Sequence, residues 1–258
     1  MDLGLAGKRV LITGGSKGIG YSCAQAFLAE GAQVLIVARN ADTLAKASKS
    51  LGDVAYLAAD LIDPAQAAEA VTQAESDFGP IDILVNSAGA ARRTPAPDLS
   101  PDHYRAAMDA KFFSYINVID PIIKTMAARG HGSIVNVIGN GGKIASPIHI
   151  AGGAANAALM LATAGLANAY AKNGVRVLAV NPGLTETERV AEGLEADARA
   201  SGISVEEAHE RGVSRIAMGR FARPEEIADA IVFLASGRAS YISGVSITMD
   251  GVAVPTVV

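Results

Sequence analysis

Near the N-terminus the run Thr13-Gly14-Gly15-Ser16-Lys17-Gly18-Ile19-Gly20 has glycines spaced so that backbone could wrap a diphosphate. It follows the apolar run Arg9 to Ile12 and precedes Ser22 to Glu30, whose apolar spacing is helical. In that setting Gly14 permits a tight turn and Gly18 lets backbone approach a pyrophosphate. Gly20 lets the helix start lie close to the strand, with its free N–H groups facing the anion. Gly14, Ser16, Lys17, Gly18, Ile19 and Gly20 are therefore candidate cofactor residues. The next strand-like run ends Val37-Ala38-Arg39-Asn40. A carboxylate at that end would accept hydrogen bonds from an adenosine ribose, which Ala38 cannot do. Arg39 and Lys17 could instead neutralise a ribose 2′-phosphate, which favours NADP(H) over NAD(H).

Elements must bring these residues to one edge. Strand-like runs recur at Arg9 to Ile12, Gln33 to Ala38, Asp53 to Ala58, Ile81 to Asn86, Gly132 to Val137, Gly174 to Asn181 and Tyr241 to Met249. Helical spacing marks Ser22 to Glu30, Ala41 to Leu51, Pro64 to Phe78, Tyr104 to Ala128, Gly153 to Lys172 and Glu225 to Ser236. Such alternation predicts an α/β fold: a doubly wound parallel sheet of Rossmann type, spanning 1–258 as a single domain. The long polar segment 184–218 is expected to form a substrate lid.

Half the residues are apolar, 19% are charged and mean hydropathy is +0.28, which suits a large buried core. A net charge of -4 gives no reason to expect nucleic acid or an anionic membrane as partner, so a small-molecule substrate is expected. The lone Cys23 cannot form an internal disulfide, consistent with a reducing cytoplasmic location. Neither a membrane span of about 18 apolar residues nor a metal-ligand pattern is expected.

Further motifs give the chain a resemblance to the short-chain dehydrogenases/reductases. They are Asp60-Leu61 after the third strand, Asn86-Ser87-Ala88-Gly89 after the fourth, Asn181-Pro182-Gly183-Leu184-Thr185-Glu186-Thr187, and Arg223-Pro224-Glu225-Glu226 through Asp250-Gly251. The resemblance implies that Asp60 and Leu61 meet the adenine side and that Asn86, Ala88 and Gly89 line the cofactor. Pro182, Gly183, Thr185 and Thr187 would hold the nicotinamide carboxamide. It also implies a homo-dimer or homo-tetramer joined through long helices.

The resemblance fails at the catalytic group. The family's usual Ser, Tyr and Lys fall at Gly139, Gly152 and Asn156, and Lys111 stands where its usual Asn would be. Hydride attack on a carbonyl builds alkoxide charge, so a proton donor or oxyanion stabiliser is needed. Replacement candidates are His149, one turn before Gly152; Lys111; Asn156; Asn140, next to Gly139; and Tyr115, one turn beyond Lys111. His149 is the best acid/base by its intrinsic pKa and Lys111 the best oxyanion stabiliser. Arg92, Arg93, Lys111, Lys143 and Arg189 could form a positive mouth suited to an anionic substrate. The expected function is an NADP-dependent oxidoreductase for a carbonyl or alcohol with a non-standard residue set. The alternatives are a catalytically silent NADP(H)-binding protein, or a hydratase, isomerase or lyase on the same fold.

Overall fold

The computed structural model describes residues 1–89 and 91–255, so 90 and 256–258 of the expected domain lie outside the described residues. Seven strands form one parallel sheet: β1 (Arg9–Thr13), β2 (Gln33–Ala38), β3 (Ala55–Ala58), β4 (Ile83–Asn86), β5 (Gly132–Val137), β6 (Val175–Pro182) and β7 (Ser246–Met249). Their order is β3-β2-β1-β4-β5-β6-β7, so the winding reverses between β1 and β4 and a crevice opens at their carboxyl ends. The helices are α1 (Gly18–Ala29), α2 (Ala41–Ser50), α3 (Pro64–Asp77), α4 (Pro101–Ala107), α5 (Ser114–Arg129), α6 (Ile150–Tyr170), α7 (Glu188–Ser201), α8 (Val205–Val213) and α9 (Pro224–Ala235).

Strand alternation divides the core. Val10, Ile12, Val34, Ile36, Ile83 and Val85 point to one face, where Cys23 and Phe27 of α1, Leu44 of α2 and Ile227 and Ile231 of α9 cover them. Leu11, Leu35, Val37, Leu84 and Ile134 point to the other, under Val71 of α3, Ile119 and Ile122 of α5 and Leu159 of α6. Caps fix several helix starts: the Asn40 side chain accepts from Thr43 N, Asp63 accepts from Ala65 N ahead of Pro64, and Ser204 and Glu207 form a capping box.

Two differences from the sequence expectation have physical causes. Tyr104 to Ala128 is not one helix, because a π-helical turn, Met108–Phe113, separates α4 from α5. Apolar periodicity runs across that turn, so pattern alone does not show it. Tyr241 to Val245 does not join β7: Tyr241 is fully exposed and Gly244 turns the chain at φ +73°. The polar segment 184–218 contains two helices, α7 and α8. One helical stretch, Ile150–Asn173, is also long and apolar enough by length and composition to cross a membrane, contrary to the expectation of none. Within α6, Ala151, Ala155, Asn156, Leu159, Thr163 and Ala167 are buried in the protein.

Candidate functional site

A cleft of about 450 Å³ opens at the carboxyl ends of the central strands. Its walls include Gly14, Ser16, Lys17, Gly18, Ile19, Arg39, Asp60, Leu61, Ala88, Gly89, Pro182, Gly183, Thr185 and Thr187. The glycine turn fits a phosphate-bearing ligand. Gly14 has φ +68°, and a Cβ there would stand 2.8 Å from the Ala88 nitrogen. Among the described residues no side chain caps the start of α1, and its first turn carries no acidic residue, so its N–H groups suit an anion. Arg39 is exposed at the cleft and pairs with no carboxylate among the described residues, whereas Lys17 meets Glu188 at 2.9 Å.

Two of the expected cofactor residues stand behind the cleft wall. A Cβ on Gly20 would overlap the Gly14 carbonyl, so this glycine serves the close approach of α1 to β1. Asn86 is fully buried and belongs to a hydrogen-bonded chain through the sheet. Thr13 Oγ1 donates to Asn86 Oδ1 (3.3 Å), Asn86 Nδ2 to Asn136 Oδ1 (3.0 Å), Asn136 Nδ2 to Thr163 Oγ1 (3.0 Å), and Thr163 Oγ1 to the Leu159 carbonyl (2.8 Å). Ser87 N and Ala88 N also donate to Thr13 Oγ1, so this hydroxyl ties the turn after β4 to the end of β1. Sequence reasoning missed Thr13, Asn136 and Thr163; the only signal was a polar residue in an otherwise apolar run. It also missed Ser114, which lines the cleft and donates to the Ala110 carbonyl at 3.0 Å.

Of the acid/base candidates, Lys111 lines the cleft. The π-helical turn that carries it buries its side chain to 8% exposure. Its Nζ donates to Tyr115 Oη (3.0 Å) and to the Val137 carbonyl (2.9 Å), and Tyr115 Oη donates to the same carbonyl (2.6 Å). An ammonium has three N–H donors, so one remains without a partner among the described residues. Burial drives Lys111 from its usual 10.5 down to about 7, and the charge of Arg189 adds to the effect. Burial pushes the Tyr115 phenol above its ordinary range.

His149 stands at the start of α6 with its ring over Gly152: a Cβ on Gly152 would lie 2.6 Å from His149 Nε2. The imidazole is held below its usual 6.5, first by burial and then by Arg93 and Lys111, so it is neutral at pH 7. Asn156 is buried, with Nδ2 3.7 Å from the place of a Cβ on Gly139 and 3.4 Å from that of one on Gly141. Asn140 is engaged elsewhere, since its Nδ2 donates to Asp250 Oδ2 at 2.7 Å. Lys143 also turns away, reaching the Ser246 carbonyl (3.4 Å) and Thr248 Oγ1 (3.3 Å) of β7. Arg92 and Arg93 are both exposed and neither lines the cleft wall. No group of three or more His, Cys, Asp or Glu able to hold a metal occurs among the described residues.

Residues 14–251 match the family described as enoyl-(acyl carrier protein) reductase. The chain is 34% identical over 255 residues to a cis-4-hydroxycyclohexanecarboxylate dehydrogenase of Sinomonas cyclohexanicum, covering 97% of this chain and 98% of that one. It is 35% identical over 251 residues to a 3-oxoacyl-(acyl-carrier-protein) reductase of Thermotoga maritima, covering 96% and 98%. Among solved structures, L-sorbose reductase from Gluconobacter frateurii, complexed with NADPH and L-sorbose, superposes with a TM-score of 0.93 at 30% identity, covering both chains completely.

Proposed function

The chain belongs to the short-chain dehydrogenase/reductase family, and from that membership and its cleft we propose an NADP(H)-dependent oxidoreductase that interconverts a carbonyl and an alcohol through a residue set centred on Lys111. The observation that carries this reading is the buried Lys111 ammonium, anchored at Tyr115 and Val137, with one donor left for the cleft.

Reduction of a carbonyl adds a hydride to carbon and a proton to oxygen, and the bound reduced dinucleotide would supply the hydride. Lys111 supplies the proton. An acid with a pKa near the working pH is partly protonated and also a willing donor, and burial brings Lys111 to about 7. Before transfer its charge, on a side chain only 8% exposed, stabilises the growing alkoxide. Tyr115 Oη and the Val137 carbonyl keep Nζ in place through this step. His149 is neutral at pH 7 and so donates a hydrogen bond during reduction; in the reverse direction it can take a proton as base. Asn156 presents its amide nitrogen toward Gly139 and Gly141, beside the Lys111 end of the cleft. In this reading Gly139, Gly152 and Asn156 occupy the positions of the family's usual Ser, Tyr and Lys. The ring of His149 fills the space over Gly152 that a side chain would otherwise take.

Preference for the phosphorylated dinucleotide rests on Arg39, which directly follows β2 at the cleft and pairs with no carboxylate among the described residues. Arg39→Ala is expected to weaken NADPH binding about 10- to 100-fold with little effect on NADH. Fluorescence titration of both dinucleotides checks it, and an equal loss for the two would assign Arg39 to something other than the 2′-phosphate. The function itself is tested by following NADPH absorbance with ketones, aldehydes and quinones. Oxidation of NADPH with formation of the alcohol is the expected result. Tight NADPH binding with no turnover of any carbonyl would favour the silent binding protein instead.

A further inference from the structure

Three segments meet beside Lys111, and they bring together positive groups without matching carboxylates. Thr94 N donates to the Ile148 carbonyl at 3.0 Å, which ties the segment after β4 to the start of α6. Ala91 Cβ lies 2.8 Å from where a Cβ on Gly152 would be. Across the cleft, Arg189 in the first turn of α7 reaches the Gly89 carbonyl with NH1 at 3.4 Å. Residue 193 lies one turn further along the same face of α7, and it is glycine. A Cβ there would lie 3.9 Å from Arg93 NH1, which places that guanidinium beside this turn of α7. Arg189 thus lines the cleft together with Lys111, while Arg93 stands exposed at its mouth, beside the next turn of α7 and close enough to His149 for its charge to act there.

Stability does not account for this arrangement. A cation in the first turn of a helix opposes the helix dipole. Neither Arg93, Arg189, Lys111 nor His149 has a carboxylate within 4 Å among the described residues. Glu188 is engaged by Lys17, and Glu192 acts on Arg189 only at longer range. The positive groups also burden one another, since Arg93 and Lys111 disfavour the charged form of His149 and Arg189 that of Lys111. Local rules are broken in this way where a missing partner completes the site.

We propose that Arg93 and Arg189 form a clamp for the carboxylate of the substrate, so that the natural substrate is a small oxo acid or the corresponding hydroxy acid, with its carbonyl turned to Lys111. This rests on the oxidoreductase reading above. Guanidinium groups hold a planar carboxylate through paired N–H donors, and two of them contributed by different segments fix its direction as well as its charge. The carboxylate also supplies the negative charge that Arg93, Arg189 and Lys111 lack.

The test has a kinetic and a binding arm. With NADPH, an oxo acid is compared with its methyl ester and with a ketone bearing a phosphate in place of the carboxylate. The acid is expected to exceed the ester in kcat/KM by about 100-fold, and the ratio is expected to fall below about 10 in Arg93→Ala and in Arg189→Ala, with partial recovery in Arg93→Lys. Calorimetry without dinucleotide then compares benzoate with benzamide. Wild type should bind benzoate at least about tenfold more tightly, and either alanine variant should lose that difference. Equal turnover of acid and ester, or equal binding of benzoate and benzamide, would overturn the clamp while leaving the oxidoreductase reading intact. Faster turnover of the phosphate compound would overturn the assignment to a carboxylate. Benzoate binding that depends on both arginines, with no carbonyl turned over, would support the clamp and defeat the oxidoreductase reading.

Discussion

Lys111→Met is expected to lower kcat/KM for NADPH-dependent carbonyl reduction by about 10³-fold while changing NADPH affinity only a few-fold. Loss of one oxyanion donor costs about 10²- to 10³-fold and loss of a positioned general acid about 10²- to 10⁴-fold, and Lys111 carries both roles in the proposed mechanism. Methionine keeps the length of the side chain, and Tyr115 Oη still satisfies the Val137 carbonyl. A folding defect would therefore not explain the loss, and stability should even move the other way at low pH. The native state holds Lys111 at about 7 against its ordinary 10.5, so between those values it binds fewer protons than the unfolded chain, and wild-type stability rises with pH. Below about pH 7 the wild type bears the full cost of the buried ammonium. There the methionine variant is expected to be more stable, by at most ~5 kcal/mol, and its advantage should shrink toward pH 10. Thermal unfolding across this range reads the effect. A variant less stable at pH 6 than at pH 10, relative to wild type, would contradict the burial of a charged Lys111.

Gly89→Ala is expected to be the most damaging single methyl group near the cleft. Gly89 has φ +88°, and a Cβ there would collide with the Ala110 carbonyl and stand 3.1 Å from Ser114 Oγ. Ala110 directly precedes Lys111 in the π-helical turn, so any relief of the collision moves the catalytic ammonium. Left-handed strain and overpacking together cost about 2–5 kcal/mol, or roughly a 10 °C fall in Tm for a chain of this size. Gly52 offers an internal control, because it has the same φ of +88° with nothing within 4 Å of a Cβ. Gly52→Ala should cost only the strain, about 1–2 kcal/mol, and leave turnover unaltered. If both variants fall equally in Tm, backbone strain rather than the contact with Ala110 dominates at Gly89.

The parts of the site that local chemistry determines were legible before the structure. Glycines between a strand and a helix admit few other uses, and the alternation of apolar residues in β1, β2 and β5 fixes both faces of the sheet. The placement of His149 against Gly152 is also local, since three residues bring side chains to one side of a helix start. What pattern could not show depends on contacts distant in sequence. Asn140 looks free in sequence, yet its amide is held by Asp250, 110 positions away. The depressed protonation of His149 comes first from burial and then from Arg93, a residue that neighbours Thr94 and its hydrogen bond to Ile148. Lys111 appeared as an oxyanion stabiliser, and His149 as the acid. Burial reverses that ranking in the proposed mechanism, and it follows from a π-helical turn that leaves apolar periodicity unchanged.

The pH dependence of kcat/KM for carbonyl reduction, in wild type and in Lys111→Met, tests the central proposal most directly. Lys111 acts as acid in its protonated form, with Arg189, Tyr115 and His149 as its neighbours. Wild-type kcat/KM should therefore fall about tenfold per pH unit above about 7, and the variant should show a low and flat profile over the same range. A variant with the rate and profile of wild type would contradict the assignment of proton transfer to Lys111.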